Sequence, residues 1–197
     1  MLTILPREEL RLRPVITERM HLVPIDATDG QDFWFAVNGS RDTLRRFLPW
    51  VAYHSDVTAS ARFCEACAID WDQGRAYRFA MRDREKHTFL GTVGLESLVH
   101  MHRSCEIGYW LTDAASGKGL MTEAANAALD YAFARIGAHR VRIAAATDNH
   151  RSLGVIARLG FRFEGIARQA EWCDGRWLDH AVFGLLTTDP RPSPPRR

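Results

Sequence analysis

Apolar and polar positions change their spacing along the first half of the chain, and these changes predict an order of elements. Loose alternation indicates a strand, apolar residues at helical spacing indicate helices, and short apolar runs marked by glycine indicate further strands. The predicted strands are residues 16–25, 77–82, 88–98 and 105–111, and the predicted helices are 29–37, 40–47 and 58–72. Pro49 ends the second of these helices, because proline cannot continue one.

The second half repeats this alternation of helices and strands. Residues 122–136 carry an apolar stripe at helical spacing, with Gly137 at the position of a left-handed cap. A strand over 140–146 and a helix over 149–159 follow. The last two strands, 161–171 and 177–186, flank Asp174-Gly175, a strong hairpin signal.

This order predicts one α/β (α+β) domain with a mixed sheet. We expect the domain to span residues 16–187, with a charged extension over 1–15 and a disordered, proline- and arginine-rich tail over 188–197. A length of 197 residues leaves little room for a second domain.

Charge narrows the classes of partner. Lys and Arg number 26 against 24 Asp and Glu, a net charge of +2, which does not favour nucleic acid or a membrane surface. The sequence has no run of about 18 apolar residues, and its start is charged rather than apolar. We therefore expect a cytoplasmic protein whose ligand is recognised by a local site.

Cysteine and histidine residues cluster at two places where a metal or redox site could form. Cys64 and Cys67 form a C-x-x-C, but their spacing within a predicted helix is typical of a buried face. His100-Met101-His102 lacks nearby carboxylates and is expected in a solvated loop. The sequence therefore predicts free thiols and no metal site.

The most informative segment is a strand, a glycine loop and a helix within residues 105–133. Unpaired amides at a helix N-terminus suit phosphate oxygens, and Gly117 and Gly119 allow close approach of the backbone. Neither the Walker A pattern nor the dinucleotide fingerprint fits, because the spacing fails for both.

The loop Ser116-Gly117-Lys118-Gly119-Leu120-Met121 resembles the acyl-CoA pyrophosphate loop of the GCN5-related N-acetyltransferases (GNAT), with Ser116 and Met121 departing from the pattern. Two further motifs follow in the family's order, Asn149-His150-Arg151-Ser152 and Gly160-Phe161. Gly108-Tyr109-Trp110-Leu111 and Arg168-Gln169-Ala170-Glu171-Trp172 resemble the branch that acetylates bacterial ribosomal-protein N-termini, especially its serine-specific group.

The resemblance implies a fold whose splayed strands open a cleft for acetyl-CoA. The backbone of Trp110, Leu111 and Thr112 would pair with the pantetheine amides, as in strand addition. The remaining implied cofactor residues are Ser116, Gly117, Lys118, Gly119, Leu120, Met121 and Thr122 at the pyrophosphate and Asn149 on the cofactor arm. Lys118 is equally consistent with a solvated lysine, and Asn149 with a helix cap.

Catalytic residues follow from the same resemblance. Many family members protonate the leaving thiolate with a tyrosine, but Ile156 stands at that position here. Ser152 is therefore the candidate general acid and Glu171 the candidate general base. A first-turn serine and a solvent-facing strand carboxylate are the structural alternatives. An acyl-cysteine route through Cys105 or Cys173 is disfavoured, because neither has a motif-level histidine partner.

The expected activity is acetyl transfer from acetyl-CoA to the N-terminal α-amine of a ribosomal protein beginning with Ser or Ala. Small-molecule amines, such as polyamines, amino-acid derivatives or aminoacyl-nucleotide antibiotics, remain an alternative, as does a CoA-binding module without turnover. The acceptor would be held by loops around Trp34, Phe47 and Trp50. A homodimer is also expected from the branch.

Overall fold

Eight strands and six α-helices make up the part of the chain that the computed structural model describes, residues 1–192. The helices are α1 (Arg7–Leu12), α2 (Gly30–Gly39), α3 (Arg41–Leu44), α4 (Val57–Asp72), α5 (Leu120–Asp130) and α6 (His150–Arg158). The strands are β1 (Val15–Ile16), β2 (Met20–Pro24), β3 (Tyr77–Asp83), β4 (Phe89–Val99), β5 (Ser104–Leu111), β6 (Arg140–Ala146), β7 (Arg162–Cys173) and β8 (Arg176–Leu186).

The strands form a single mixed sheet in the order β1-β2-β3-β4-β5-β6-β8-β7. Within the described residues, β5 and β6 are the one parallel pair, and the other neighbours are antiparallel. The α/β class and the mixed sheet predicted from the sequence are confirmed.

Helices cover both faces of this sheet. Tyr109 packs against the large core beneath α5 and α6, whereas the next residue, Trp110, belongs to a second core beneath α2 and α4. Successive strand residues point to opposite faces, so these two side chains mark the two sides of β5. The two cores thus pack on opposite faces of the strand that borders the predicted site.

Three local predictions can be compared with the structure. Asp174 and Gly175 have φ values of 49° and 80°, as a two-residue hairpin turn of this kind requires. Gly137 takes φ 76° and ends the predicted helix, whose last six residues, Tyr131–Ile136, are π-helical. The strand predicted over 16–25 is instead two short strands, because Thr17 forms a turn by bonding to Met20.

The N-terminal residues pack onto the domain rather than extending from it. Leu2 is buried in the large core, and the backbone oxygens of Thr3 and Leu5 accept bonds from Tyr77 and Trp71. Apolar burial thus begins before residue 16. Of the predicted tail, residues 193–197 lie outside the described part of the chain, while Arg191 pairs with Asp130 on α5.

Candidate functional site

The sheet opens where β5 and β6 diverge. Only Ser104–Glu106 and Arg140–Arg142 are paired, although both strands continue, to Leu111 and Ala146. From residue 107 onward, the edge of β5 that faces β6 is free of strand pairing within the described residues. Unpaired strand edges offer a row of N–H and C=O groups to an extended ligand.

A cavity of about 830 Å³ lies at this opening and collects most of the predicted cofactor residues. Those that line it are Trp110, Leu111, Ser116, Gly117, Gly119, Met121, Thr122 and Asn149, and the candidate general acid Ser152 lines it as well. Thr112, Lys118 and Leu120 line a second cavity, of about 1160 Å³, which shares Asp113 with the first. The glycine loop therefore separates two concave surfaces.

The glycines of the loop adopt a backbone conformation that other residues rarely take. Gly117 and Gly119 have φ values of 77° and 76°, in the left-handed region that glycine enters without a steric cost. Gly119 is the N-cap of α5, so the amides that follow it lack intrahelical acceptors and point into the loop. The arrangement suits an anionic group, as the sequence predicts.

Arg19 connects this loop to the start of the sheet by a hydrogen bond and an ion pair. No sequence motif predicts this role. Its Nη1 donates to the Lys118 carbonyl oxygen at 2.8 Å, and its Nη2 lies 2.6 Å from Glu123 Oε2. Burial acts to raise the pKa of Glu123, but bonds from Thr17 and Arg19 outweigh it and hold that pKa below its usual value. These bonds connect the glycine loop, the first turn of α5 and the segment before β2.

The positive charges at the cavity do not come from Lys118, the residue that the sequence suggests. Lys118 Nζ donates to the Ala114 carbonyl oxygen at 2.7 Å, within its own loop. Arg151 and Arg158 line the cavity instead, and Arg158 Nε donates to Thr122 Oγ1 at 3.2 Å. Both arginines lie on α6.

Thr112 and Ser116 form hydrogen bonds with each other and with β4. The Thr112 amide donates to the Leu90 carbonyl oxygen at 2.8 Å, and the Thr112 carbonyl oxygen accepts from Ser116 Oγ at 3.1 Å. These bonds shape the turn that leads from β5 into the loop. Trp110 and Leu111 remain the residues at the opening itself.

Ser152 sits at the start of α6 and makes two contacts that orient it. Asn149 caps the helix, its Oδ1 accepting the Ser152 amide at 3.2 Å. The Ser152 hydroxyl lies 3.1 Å from the hydroxyl of Tyr109 on β5. Both residues line the cavity, so the structure brings a phenol to the side chain that the sequence predicts to be catalytic.

Tyr109 is a site residue to which the sequence motifs assign no role, although it belongs to one of them. Burial raises the pKa of its phenol to about 12, against a smaller lowering by the bond to Ser152. The phenol is therefore protonated, and able to donate, throughout the neutral range. Its position in Gly108-Tyr109-Trp110-Leu111 was the available signal, but the chain separates it from Ser152 by 43 residues.

Glu171 lies on β7 and does not border the cavity. Its Oε2 is 3.5 Å from Nε2 of His180 on β8. Burial raises the pKa of Glu171, while the neighbouring His180 acts in the opposite direction. A carboxyl group whose pKa is raised toward neutrality is suited to exchanging a proton.

Phe47 connects Glu171 to the cavity. Cys173 is two residues from Glu171 and shares its face of β7, and it packs with Phe47, Ala146 and Leu178. Phe47 also lines the cavity, whereas Trp50 packs against Trp110 and Phe33 in the core beneath α2. Of the three predicted acceptor residues, Phe47 is the one at the cavity.

The two candidate catalytic groups thus lie on opposite faces of the sheet. Ser152 and Tyr109 are on the side of α5 and α6, where Tyr109 packs into the large core. Glu171 shares its face with the Phe47 cluster, which includes Ala146, whereas Ala145 belongs to the large core. A group inserted between β5 and β6 would have a hydroxyl donor on one side and a carboxylate on the other.

The cysteines are buried and free. Cys64 and Cys67 pack into the core beneath α4, and burial raises the pKa of Cys67 to about 12. Burial likewise raises the pKa of Cys105 to about 12, which leaves almost no thiolate at neutral pH. Residues 1–192 contain no cluster of three metal-ligating side chains and no helix long and apolar enough to cross a membrane.

Comparison with known proteins adds to this geometry. Residues 19–162 match the family model described as an acetyltransferase (GNAT) domain. The chain is 34% identical over 173 residues to the probable N-acetyltransferase YjcK of Bacillus subtilis (strain 168), a match covering 86% of this chain and 95% of that protein.

Two further relatives are named for ribosomal substrates. The ribosomal protein uS5-alanine N-acetyltransferase of Escherichia coli (strain K12) is 35% identical over 118 residues, 59% of this chain and 61% of that protein. The solved structure of RimL, a ribosomal L7/L12 α-N-protein acetyltransferase in complex with coenzyme A, has a TM-score of 0.83 at 20% identity and covers 87% of this chain and 96% of that one. At that identity the second likeness concerns the fold alone. With the family model matching most of the chain, the protein belongs to the GNAT acetyltransferase family.

Proposed function

We propose that the protein transfers the acetyl group of acetyl-CoA to the N-terminal α-amine of a ribosomal protein that begins with Ser or Ala. The observation that carries the proposal is the cavity at the divergence of β5 and β6, which meets the glycine loop at one end and Phe47 at the other. The relative that acts on an alanine of ribosomal protein uS5 supports the choice of acceptor. A ribosomal acceptor would be met in the cytoplasm.

Acetyl-CoA is the acyl donor. Its pantetheine arm would bond along the free edge of β5 at Trp110 and Leu111, and its pyrophosphate would meet the amides that follow Gly117 and Gly119. Arg151 and Arg158 add positive charge at the same opening. The residues present therefore fit an elongated, anionic thioester.

The acceptor amine would approach from the face that carries Glu171. An α-amine has a pKa near 8, so a fair fraction is already neutral at physiological pH, and the base has only modest work. In the proposed reaction the amine nitrogen attacks the thioester carbonyl carbon, and Glu171 takes up the proton that the nitrogen loses. The raised pKa of Glu171 and its place beside the Phe47 cluster support this role.

The departing thiolate would be met on the other face. The carbon–sulfur bond breaks as the amide forms, and Ser152 donates a hydrogen bond or proton to the sulfur. In the proposed arrangement Tyr109 is the donor of the 3.1 Å hydrogen bond between the two hydroxyls, so that the serine proton is free for the sulfur. Ser152, hydrogen-bonded to the phenol, thus supplies the donor that Ile156 cannot.

Direct attack in a ternary complex is preferred to an acyl-cysteine intermediate. Burial raises the pKa of Cys105 and of Cys173, and the Cys173 thiol donates to the Arg45 carbonyl oxygen at 3.1 Å. A nucleophilic cysteine needs thiolate character. Because their pKa values are raised, neither cysteine has thiolate character at neutral pH.

The test is incubation with acetyl-CoA and a panel of short peptides, followed by measurement of released thiol and by mass spectrometry. We expect turnover with Ser- and Ala-initiated peptides of ribosomal sequence and little with Met-initiated peptides or free polyamines. Faster turnover of polyamines or amino-acid derivatives than of every peptide would contradict the ribosomal acceptor. Coenzyme A binding without any acetylated product would contradict catalysis itself.

A further inference from the structure

Strand β7 carries two more residues than its partner across the segment that leads to Glu171. Ala167 lies opposite His180, and Glu171 lies opposite Leu178, so four steps along β7 match two along β8. Without the bulge, uninterrupted pairing from Ala167 would set Glu171 opposite Arg176. The bulge therefore moves Glu171 by two positions, about 6.8 Å along the strand.

This displacement determines which groups surround the Glu171 carboxylate. In the observed register its carboxylate is beside His180 and shares a face with Cys173 in the Phe47 cluster. In the unbulged register it would lie at the hairpin tip, next to the exposed turn at Asp174. Bulges of this kind re-aim side chains next to functional sites.

A bulge leaves backbone groups without ladder partners, and one side chain satisfies the central one here. Asp179 Oδ1 accepts the Gln169 amide at 2.7 Å. Gln169 has φ 48°, in the left-handed region that a non-glycine residue seldom occupies. A hydrogen bond to a carboxylate is among the stronger ones and offsets that cost.

Asp179 also reaches the other half of the site. Its carbonyl oxygen accepts the Thr147 amide at 2.9 Å, two residues before the α6 cap Asn149. One residue therefore joins the bulge on β7 to the segment between β6 and α6.

We propose that Asp179 is a positioning residue: its carboxylate holds the Gln169 bulge and thereby keeps Glu171 at the acceptor side of the cleft. The inference rests on the proposed role of Glu171 as general base. Asp179 itself makes no contact with the reacting atoms, and its effect passes through the register of β7. Acetyl-CoA binding depends on β5, the glycine loop and α6, so it should be largely independent of Asp179.

The experiment compares Asp179→Ala, Asp179→Asn, Glu171→Ala and the double variant Asp179→Ala/Glu171→Ala. Asp189→Ala is the matched control, because Asp189 Oδ2 accepts the Leu186 amide at 2.9 Å at the far end of β8. For each protein, kcat and the KM for acetyl-CoA are measured with the best peptide, and hydrogen exchange of the Gln169 amide is followed by NMR.

We expect Asp179→Ala to lower kcat about 10- to 100-fold, the size of effect that a small misplacement of a catalytic group produces, with the KM for acetyl-CoA changed less than about twofold. The Gln169 amide should lose protection in this variant and keep it in Asp179→Asn, which retains an oxygen acceptor and most of its kcat. The double variant should be no slower than Glu171→Ala, and Asp189→Ala should keep its kcat.

Two results separate failure of this inference from failure of the proposed function. If Glu171→Ala is slow while Asp179→Ala keeps wild-type kcat or Gln169 protection, the positioning role is wrong and the base role stands. If Glu171→Ala retains wild-type kcat, the base role is wrong, and the positioning role falls with it. An Asp179→Ala loss that adds in full to that of Glu171→Ala would also overturn the proposal.

Discussion

At the scale of single residues, the hydroxyls of Tyr109 and Ser152 form the most informative pair. Their oxygens lie 3.1 Å apart at the wall of the cavity. A serine hydroxyl has one proton and two lone pairs, so Ser152 can accept from Tyr109 and keep its own proton for another partner. Burial keeps the tyrosine protonated by raising its pKa to about 12. The pair can thus assist a leaving thiolate without a tyrosine on α6.

Removal of the Tyr109 hydroxyl tests that pairing. Tyr109→Phe should lower kcat by about tenfold, the cost of about 1.4 kcal/mol expected for one hydrogen bond in the transition state. The KM for acetyl-CoA should hardly change. Steady-state kinetics on the best peptide checks both. Tyr131→Phe is the control, because that hydroxyl is buried without a hydrogen-bond partner among the described residues, and it should keep wild-type kcat. Equal kcat in both variants would contradict the pairing.

The raised pKa of Glu171 predicts how activity depends on pH. The carboxylate accepts a proton only when ionised, so kcat should fall as the pH drops through its pKa. Burial raises that pKa, against the influence of His180, so the acidic limb should lie above the pH expected for a free glutamate. Glu171→Gln should lower kcat by about 10²-fold and remove the limb. A pH–rate profile from pH 4.5 to 9 measures this, and an acidic limb that survives in Glu171→Gln would assign it to another group.

At the scale of elements, the approach of α2 to α4 sets how Trp110 and Phe33 pack beneath the cleft. A Cβ placed on Gly30 would lie 2.6 Å from Ala61 Cα and 2.7 Å from Ala61 Cβ. Contacts this short force the two helices apart. Gly39, at the other end of α2, has nothing within 4 Å of the same position. The helix therefore offers one crowded and one open glycine.

These two glycines make a matched pair of variants. Gly30→Ala should lower the free energy of unfolding by about 1–3 kcal/mol, as overpacking does. Gly39→Ala should be neutral or stabilising by up to about 1 kcal/mol, because alanine favours a helix over glycine. Urea denaturation of both proteins measures the difference. Similar stability in the two variants would mean that α2 and α4 do not pack as closely as described.

At the scale of the whole molecule, the first residues of the chain complete the large core. Leu2 is 5% exposed, and the Thr3 amide donates to the Ile136 carbonyl oxygen at 2.9 Å. Leu12, on α1, is 84% exposed. The two leucines therefore differ in burial although they lie in the same charged segment.

Leu2→Ala should consequently destabilise the protein, and Leu12→Ala should not. The expected loss is about 2–3 kcal/mol for Leu2→Ala, near the lower end of the range for buried leucines. The value for Leu12→Ala should lie within about 0.5 kcal/mol of wild type. Chemical denaturation tests this, with kcat per folded enzyme unchanged in both. A wild-type stability for Leu2→Ala would mean that the N-terminal segment is not part of the core.

Features that depend on neighbouring residues were predictable from the sequence. The helix that Gly137 ends, the turn at Asp174-Gly175 and the glycine loop before α5 each follow from local backbone preferences. The two-strand break at Thr17 was missed, because a single side-chain bond to Met20 outweighs a weak alternation of apolar residues. Local patterns therefore predict the existence of an element more reliably than they predict the end of a weak one.

The sequence by itself determined most of the helices and strands, their order, the glycine loop and the family, because hydrophobic period, caps and motifs act over a few residues. It did not predict α1, which lies within the segment expected to be an extension. Only the tertiary structure decided which side chains meet across strands. The bond between Tyr109 and Ser152 spans 43 residues, and the place of Glu171 depends on a bulge whose central amide is held by Asp179. Strand register and bulges sum small preferences from distant segments, so no local stretch of sequence carries them.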